Sequence, residues 1–142
     1  MMARYLLSDD IPRTIRAVFF DFDGVFTDNS VYLTESGSEI IKCSRYDGFG
    51  IARLKDIGMK LSIISTESVQ LASLRAKKLN IDCYQSVSNK LEFATGLLND
   101  LSLSFKELCY FGNDVNDLSL LRHCALPVIP QDAHPSLISE QF

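Results

Sequence analysis

The sequence predicts a doubly wound α/β domain built on a parallel sheet of about five strands, and three observations support this prediction. Short apolar runs alternate along the chain with amphipathic stretches of helical spacing. The first apolar run, from Ala17 to Phe22, has no polar face, which is typical of a central parallel strand. Gly58 and Asn80 follow two of the helical stretches, as expected at helix C-termini. Such alternation places helices on both faces of one sheet.

The predicted strands and helices follow in order. The strands are residues 17–22, 60–65, 82–86, 108–111 and 125–129, and the helices are residues 49–57, 68–79, 89–101 and 115–123. Pro127 cannot donate a ladder hydrogen bond, so the last strand is predicted to be short or at an edge. One segment departs from the alternation. Residues from about 30 to 43 carry two strand-like arms around Glu35 to Ser38, which predicts a β-hairpin flap.

Length and composition narrow the class of protein. The 142 residues, 46% of them hydrophobic, fit a single domain spanning residues 1–142. A net charge of −4 without a long basic run argues against nucleic-acid binding. The apolar runs are far shorter than the roughly 20 residues of a membrane span. The N-terminal ten residues lack the apolar core of a signal peptide, and no cysteines form a C-x-x-C pair. We therefore expect a cytoplasmic protein with reduced cysteines.

Polar side chains gather where the predicted strands end, which is the edge at which open parallel sheets bind ligands. They are Asp21 and Asp23 after the first strand, Ser65 and Thr66 after the second, Lys90 after the third, and Asn113, Asp114 and Asp117 after the fourth. Residues two apart on a strand point the same way, so the first two carboxylates are expected to face one site. Carboxylate and amide oxygens suit Mg²⁺ rather than zinc.

A magnesium ion at this edge would allow the acids to approach an anionic phosphate ester, because the metal bridges and screens the two charges. The Ser65 hydroxyl and nearby helix-start amides are expected to hold phosphate oxygens. The Lys90 ammonium would neutralise charge that develops on the phosphoryl group. Each residue alone has an ordinary structural explanation, and the prediction depends on their joint placement.

Four segments resemble the four motifs of phosphatases of the haloacid dehalogenase superfamily. They are D-F-D-G-V-F-T-D from Asp21, an apolar strand ending I-I-S-T at Thr66, S-N-K ending at Lys90, and F-G-N-D-V-N-D ending at Asp117. The resemblance runs from about residue 17 to 136. It is strongest to the capless branch that acts on phosphates of 3-deoxy sugar acids, namely octulosonate 8-phosphate and the nonulosonate (N-acylneuraminate or ketodeoxynononate) 9-phosphates. It implies a Rossmann-like fold without a cap domain.

The resemblance implies a two-step phosphatase mechanism for the matching residues. Asp21 would be the nucleophile that forms an aspartyl-phosphate. Asp23 would protonate the leaving sugar oxygen and then activate water. Ser65 and Lys90 would bind the phosphoryl group.

The resemblance also implies a set of magnesium ligands. Mg²⁺ would bind the Asp21 side chain, the Asp23 backbone carbonyl and Asn113, with Asp114 next to it. The branch usually has Asp where this chain has Asn113, and a neutral ligand would bind the metal less strongly. Asp117 would orient Lys90 or the metal ligands.

The resemblance further suggests a substrate and an assembly. The octulosonate branch usually has Thr-Gly-Arg where this chain has Ser65, Thr66 and Glu67, so a nonulosonate 9-phosphate is favoured. Helical spacing would group Glu67 with Arg75 and Lys78 into a patch for the sugar acid, and a solvated helix face is the alternative. Capless members typically form homotetramers around the hairpin. This would place residues near the sugar: Tyr46, Asp47 and Gly48. Members usually continue into a Gly-Gly-x-Gly tail that this chain lacks, so its C-terminal tail is short for the family.

Two other classes of protein remain as alternatives. One is a weakly active or non-catalytic domain that serves oligomerisation of a sialic-acid cytidylyltransferase, an alternative that Asn113 favours. The other is a receiver-type phosphoacceptor domain, which needs an Asp at the end of a middle strand. This chain instead has Asp56 in a helical stretch and Ser65 at the strand end, which argues against a receiver.

Overall fold

A computed structural model describes residues 12–140 and residue 142. The strands are β1 (Ala17–Phe20), β2 (Tyr32–Leu33), β3 (Glu39–Ile40), β4 (Lys60–Ile64), β5 (Asp82–Tyr84), β6 (Leu108–Phe111) and β7 (Leu126–Val128). The helices are α1 (Tyr46–Asp56), α2 (Leu71–Leu79), α3 (Lys90–Asp100), α4 (Leu118–His123) and α5 (Pro135–Ile138), with 3-10 turns at Phe105–Glu107 and Val115–Asp117. The N-terminal ten residues, for which we predict no signal peptide, lie outside the described residues.

Five strands form one parallel sheet in the order β5-β4-β1-β6-β7. β1 lies in the middle, where Phe20 is in register with Ile63 of β4 and Phe111 of β6. All four residues of β1 are buried, which explains why this strand carries no polar side chain. β7, which contains Pro127, is the edge strand next to β6. The predicted doubly wound sheet and the edge position of the proline strand are confirmed.

Two apolar layers cover the sheet, one on each face. Val18, Phe20 and Ile63 pack with α1 and α2 on one face, where Ile51, Ala72 and Ala76 are buried. Phe19, Ile64 and Tyr110 pack on the other face with buried residues of α3, α4 and α5, namely Ala94, Leu98, Leu120, Leu121 and Leu137. Because both faces are buried, the carboxyl edge of the sheet is left for polar chemistry.

β2 and β3 form a separate antiparallel hairpin, as predicted for residues 30–43. The Thr34 side chain accepts a hydrogen bond from the Ser38 backbone N–H at 3.0 Å and so closes the turn. A bridge between Thr27 and Cys43 ties the base of the hairpin together. Four of its apolar side chains are exposed, with exposed fractions from 51% to 71%: Val31, Tyr32, Leu33 and Ile40. Its role as an oligomer contact remains a prediction.

The structure corrects several predicted boundaries, and two of these corrections concern the edge of the sheet where the polar residues gather. β1 ends at Phe20 rather than residue 22, because the chain turns at Gly24, whose φ is +80°. α2 begins at Leu71 rather than residue 68. The Ser65 hydroxyl accepts the Glu67 N–H at 3.1 Å, and the Glu67 carbonyl accepts the Ser86 N–H at 3.1 Å. These bonds hold Glu67 in a loop against the β5–α3 connection, outside the helix.

Within the described residues, no helix is both long enough and apolar enough to cross a membrane. The four cysteines are free thiols, and Cys109 is buried in the core. His123 ends α4, and His134 caps α5 by accepting the Ser136 N–H at 3.2 Å. Both histidines therefore lie at helix ends, where they have structural roles.

Candidate active site

A cavity of about 310 Å³ lies between the hairpin and the carboxyl ends of β1, β4 and β6. The polar side chains on its wall are Asp21, Asp23, Asn29, Ser30, Glu39, Thr66, Glu67, Asn113, Asp114 and Asn116. Three separate strand ends and the hairpin therefore contribute to one site. Asp21 and Asp23 both face it, although they are joined by a turn and not by an extended strand.

Asp21 follows β1 directly, and its N–H continues the ladder by donating to the Phe111 carbonyl at 2.8 Å. Its side chain is only 9% exposed. Burial raises its pKa to about 6, although the neighbouring Lys90 ammonium opposes that shift. Its Oδ1 accepts a hydrogen bond from the Lys90 Nζ at 2.6 Å. The carboxylate is therefore available to the cavity and paired with a cation.

Lys90 is the first residue of α3, where Asn89 caps the helix by accepting the Glu92 N–H at 3.2 Å. The cap sets the direction in which the helix enters the sheet edge. The Lys90 side chain is 1% exposed, and its Nζ also donates to the Asp117 Oδ1 at 2.7 Å. A buried ammonium needs such partners, and two carboxylates share it here.

Asp117 is fully buried and accepts four hydrogen bonds. Its Oδ1 accepts from Lys90 and, at 2.6 Å, from the Tyr110 hydroxyl. Its Oδ2 accepts the backbone N–H groups of Asn113 at 2.9 Å and Asp114 at 3.2 Å. A Cβ atom on Gly112 would lie 2.6 Å from the Cβ of Asp117, so only glycine fits there. Asp117 thus joins Lys90 to the loop that follows β6.

Asn113 lies on the cavity wall and carries an unpaired side-chain oxygen. The residue is 4% exposed, and its Oδ1 has no hydrogen-bond partner among the described residues. Its backbone is held on both sides, by Asp117 and by the His134 N–H, which donates to the Asn113 carbonyl at 2.8 Å. A buried orphan oxygen is costly unless a ligand meets it.

This oxygen fits a hard cation that also binds Asp21. In the described part of the chain, no three His, Cys, Asp or Glu side chains are grouped closely enough to hold a metal. A metal at this edge would therefore need the Asn113 amide or a backbone oxygen, as the predicted ligand set has. The Asp114 carboxylate already accepts the Val115 N–H at 2.6 Å, so it caps the 3-10 turn.

The two hydroxyl residues after β4 occupy different places. Thr66 lies on the wall of the cavity, where its Oγ1 accepts a long hydrogen bond of 3.4 Å from Asn116. Ser65 is 1% exposed and does not contribute to the wall. Its hydroxyl oxygen accepts the Glu67 N–H, which leaves its own proton free to donate.

The predicted patch of Glu67, Arg75 and Lys78 on one helix is wrong, because Glu67 precedes α2. Glu67 lies on the cavity wall, whereas the two cations do not. The Arg75 Nη2 donates to the Ser44 carbonyl at 2.6 Å and lies 3.9 Å from the Asp47 Oδ2. Lys78 is exposed on α2.

The predicted residues of α1 also lie outside this cavity within the chain. Tyr46 is 79% exposed, and Asp47 contributes to a second, mostly apolar cavity of about 210 Å³ beside α1. Gly48 lies in the first turn of the same helix. Their expected place near a substrate in a tetramer remains a prediction.

Sequence reasoning missed several residues of the site: Asn29, Ser30, Glu39, Asn116 and Tyr110. Asn116 lies inside the G-N-D-V-N-D segment, so its position in the motif was a usable signal. A tyrosine in the middle of an apolar strand was another, because a buried hydroxyl needs a partner. The hairpin residues gave no such signal, since only the folded hairpin brings them to the cavity.

Gly24→Ala is expected to destabilise the fold by about 2 kcal/mol or more and to displace Asn113. Its φ of +80° disfavours a side chain, and a Cβ there would lie 1.9 Å from the Asn113 Nδ2. Gly37→Ala is the matched control, because Gly37 has the same φ of +80° and nothing within 4 Å of a built Cβ. Urea unfolding of both variants separates the backbone penalty from the clash. Equal losses would contradict a close fit between Gly24 and Asn113.

The sheet order, the hairpin and the carboxylates at the sheet edge define a hydrolase of the haloacid dehalogenase type. The family model described as haloacid dehalogenase-like hydrolase matches residues 53–140. The chain therefore belongs to this family. Among the described residues, the elements between the sheet strands are helices, turns and the hairpin, and no cap domain interrupts them.

Several proteins that are similar to this chain are named as sugar-acid phosphatases. The chain is 33% identical over 125 residues to the 3-deoxy-D-manno-octulosonate 8-phosphate phosphatase KdsC of Salmonella typhi. The aligned residues cover 87% of this chain and 66% of that protein. It is 32% identical to KdsC of Yersinia pestis, over 93% of this chain and 73% of the relative. The chain thus spans just under two thirds of the length of the first of these relatives.

Solved structures show the same fold. The 3-deoxy-D-manno-octulosonate 8-phosphate phosphatase of Yersinia pestis superposes with a TM-score of 0.84 at 32% identity, covering 88% of this chain and 68% of that one. The Moraxella catarrhalis enzyme, solved with magnesium, phosphate and KDO, has a TM-score of 0.82 at 28% identity, covering 86% of this chain and 71% of that one.

Proposed function

We propose that this chain is a Mg²⁺-dependent phosphatase that hydrolyses the phosphate monoester of a 2-keto-3-deoxy sugar acid. The observation that carries the proposal is the buried Lys90 ammonium between Asp21 and Asp117 at the carboxyl edge of the sheet. This arrangement places the Asp21 carboxylate on the wall of a cavity large enough for a small ligand. The Lys90 ammonium lies behind that wall, 2.6 Å from the Asp21 Oδ1. The relatives that are named as KDO 8-phosphate phosphatases support the same class of substrate.

Catalysis would begin with attack of an Asp21 carboxylate oxygen on phosphorus. The bond to the sugar oxygen breaks, and Asp23 donates a proton to that oxygen. Asp23 then removes a proton from water, which attacks the aspartyl-phosphate and releases inorganic phosphate. Burial raises the pKa of Asp23, and the nearby Glu67 and Glu39 charges raise it further, which favours the protonated form that the first step needs.

The phosphoryl group would be held by Lys90, whose ammonium has one N–H beyond those given to Asp21 and Asp117. The Ser65 hydroxyl would supply a further donor. Mg²⁺ would be held by the Asp21 side chain, the Asp23 backbone carbonyl and the Asn113 Oδ1, with Asp114 beside them. When bound, it would screen the repulsion between the nucleophile and the phosphate. The magnesium in the Moraxella catarrhalis structure supports this choice of metal.

We propose that a nonulosonate 9-phosphate is preferred over octulosonate 8-phosphate. Glu67 lies on the cavity wall, where a carboxylate can accept hydrogen bonds from sugar hydroxyls. Thr66 lies beside it on the same wall. An arginine at the position of Glu67, as in the octulosonate branch, would present a cation instead.

A homotetramer is part of the proposal. The exposed apolar side chains of the hairpin support such an assembly, because they are expected to be covered by another copy of the chain. In it, substrate contacts would come from residues that lie outside the cavity within one chain: Tyr46, Asp47, Gly48, Arg75 and Lys78.

The test is a substrate panel measured by phosphate release with and without Mg²⁺. It should contain a nonulosonate 9-phosphate, octulosonate 8-phosphate, glucose 6-phosphate and p-nitrophenyl phosphate. We expect kcat/KM on the preferred sugar acid phosphate to exceed that on glucose 6-phosphate by at least about 100-fold. Equal, slow rates on all four would contradict the proposed substrate class. Turnover that is unaffected by EDTA would contradict the proposed metal.

A second candidate is an oligomerisation domain of a sialic-acid cytidylyltransferase with weak or absent activity. The neutral Asn113 on the cavity wall favours it, because a neutral ligand would bind a metal less strongly than a carboxylate. The exposed hairpin is equally suited to that role. A chain that forms a stable oligomer but releases no phosphate from any member of the panel would establish this candidate over the enzyme.

Asn113→Asp is expected to tighten Mg²⁺ binding by about tenfold, because a carboxylate replaces a neutral ligand of a hard cation. Isothermal titration calorimetry with MgCl₂ measures the change in Kd. The Tm at increasing MgCl₂ concentration gives a second measure of binding. Asn116→Asp is the matched control, since it adds the same charge to the cavity wall. Equal gains in both variants would indicate a general charge effect and would contradict direct ligation by Asn113.

A further inference from the structure

We propose that Tyr110 is a positioning residue whose hydroxyl, by occupying the Asp117 Oδ1, holds the Lys90 ammonium between Asp117 and Asp21. This inference assigns a role to a residue that sequence patterns place only in the core. Its kinetic consequence depends on the proposed phosphatase function. Its geometric consequence can be measured even if the chain has no activity.

The position of Tyr110 follows from the sheet. It lies in β6, in register with Phe19 of β1 and Pro127 of β7, and it is fully buried. Its neighbours on that face belong to the apolar layer beneath α3 and α4. Its hydroxyl extends beyond this apolar layer and donates a hydrogen bond to the Asp117 Oδ1 at 2.6 Å. Burial and the Asp117 charge raise the pKa of Tyr110 well above its usual value, so the hydroxyl remains a donor.

The hydroxyl completes the set of donors around Asp117. A carboxylate has about four lone-pair positions. The Asp117 Oδ2 takes two of its donors from the backbone of Asn113 and Asp114, and the Oδ1 takes the other two from Lys90 and Tyr110. Asp117 therefore offers Lys90 only one position. The ammonium satisfies its second donor at the Asp21 Oδ1, 2.6 Å away.

Loss of the hydroxyl would change this balance. The Asp117 Oδ1 would have a vacant lone pair in a buried site, and an unmet buried acceptor is costly. Lys90 is the nearest charged donor, so its ammonium would move towards Asp117 and away from Asp21. The phosphoryl group would then lose part of the charge that stabilises it during transfer. Such a loss lowers kcat, whereas ground-state binding of the sugar is unaffected.

The kinetic test compares Tyr110→Phe with the wild type on the best substrate of the panel. We expect kcat to fall by about tenfold, with KM unchanged within about twofold. Tyr84→Phe is the matched control, because Tyr84 is a half-buried tyrosine of β5 that packs on Phe93 with ring centroids 4.9 Å apart. It should leave both constants unchanged. A Tyr110→Phe variant with a lower Tm but wild-type kcat would overturn the inference, since Tyr110 would then serve packing alone.

A double variant tests whether Tyr110 acts through Asp117. The kcat of Tyr110→Phe combined with Asp117→Asn should equal that of Asp117→Asn alone, because the hydroxyl has no carboxylate left to saturate. Multiplicative losses would overturn this route.

The geometric test is a crystal structure of Tyr110→Phe, which needs no turnover. We expect the distance from the Lys90 Nζ to the Asp21 Oδ1 to exceed 3.2 Å, the limit of a normal hydrogen bond. An unchanged distance of 2.6 Å would overturn the inference whatever the kinetics show. A lengthened distance in a chain without phosphatase activity would support the positioning role and contradict only the proposed function.

Discussion

Asp21→Asn is expected to lower kcat on the preferred substrate by at least about 1000-fold. The amide has nearly the same shape but lacks the anionic oxygen that attacks phosphorus. Lys90 keeps its hydrogen bond to Asp117 in this variant, so the rest of the site should remain in place. Steady-state phosphate release measures the loss. Acid-quenched samples should contain covalent phosphate in the wild type and none in the variant.

The stability of this variant provides an independent check, and the sign follows from the pKa of Asp21. Because the folded pKa of about 6 lies above the value of 3.8 in an unfolded chain, ionised Asp21 destabilises the fold at neutral pH. In the wild type the contribution of Asp21 to the free energy of unfolding is most favourable below pH 3.8, where the carboxyl group is protonated, and it is lost as pH rises through about 6. Asp21→Asn should therefore match or exceed the wild-type Tm at pH 7.5, and any gain should shrink towards pH 4.5.

Asp28→Asn is the matched control for Asp21→Asn. Asp28 belongs to the same D-F-D-G-V-F-T-D segment but is exposed, and it pairs with Lys42 at 2.6 Å on the hairpin. Its substitution should change kcat less than about twofold, because it does not contribute to the cavity wall. More than a tenth of wild-type activity in Asp21→Asn would contradict the covalent mechanism.

Asp117→Asn is expected to destabilise the fold by about 3 to 5 kcal/mol, the cost of breaking a buried ion pair. Asp117 is fully buried and accepts from Lys90, Tyr110 and two backbone N–H groups. In the variant, an NH₂ group replaces one of the two carboxylate oxygens. Its N–H donors then face the groups that donate to that oxygen in the wild type, and the contact becomes repulsive. Urea unfolding at fixed pH measures the change, with the m-value as a check on two-state behaviour.

Asp114→Asn is the control for this prediction, since it makes the same chemical change three residues earlier. Asp114 caps the 3-10 turn, and asparagine caps helical turns about as well as aspartate. We expect a loss below about 1 kcal/mol. Similar losses in the two variants would contradict the assignment of Asp117 as the residue that holds the site together.

The candidate site shows where sequence reasoning succeeded and where it failed. Asp21 and Lys90 are far apart in sequence, yet the rule that parallel strands end at one edge predicted that they would meet. The grouping of Glu67 with Lys78 failed because it extended helical spacing back to Glu67, whereas α2 begins at Leu71. Two hydrogen bonds of Glu67, to Ser65 and Ser86, keep that residue in a loop instead. Local spacing cannot reveal a boundary that is set by a distant segment of chain.

The sequence by itself determined the class of fold, the central place of β1, the hairpin and the edge at which the polar residues gather. Apolar periodicity and strand-end chemistry are local properties, and they can be read without a structure. Only the tertiary structure decided that Tyr110 reaches Asp117, that Gly24 leaves room for Asn113, and that the hairpin brings Glu39 to the cavity. These are contacts between side chains on different elements, and their distances depend on how the two faces of the sheet are packed.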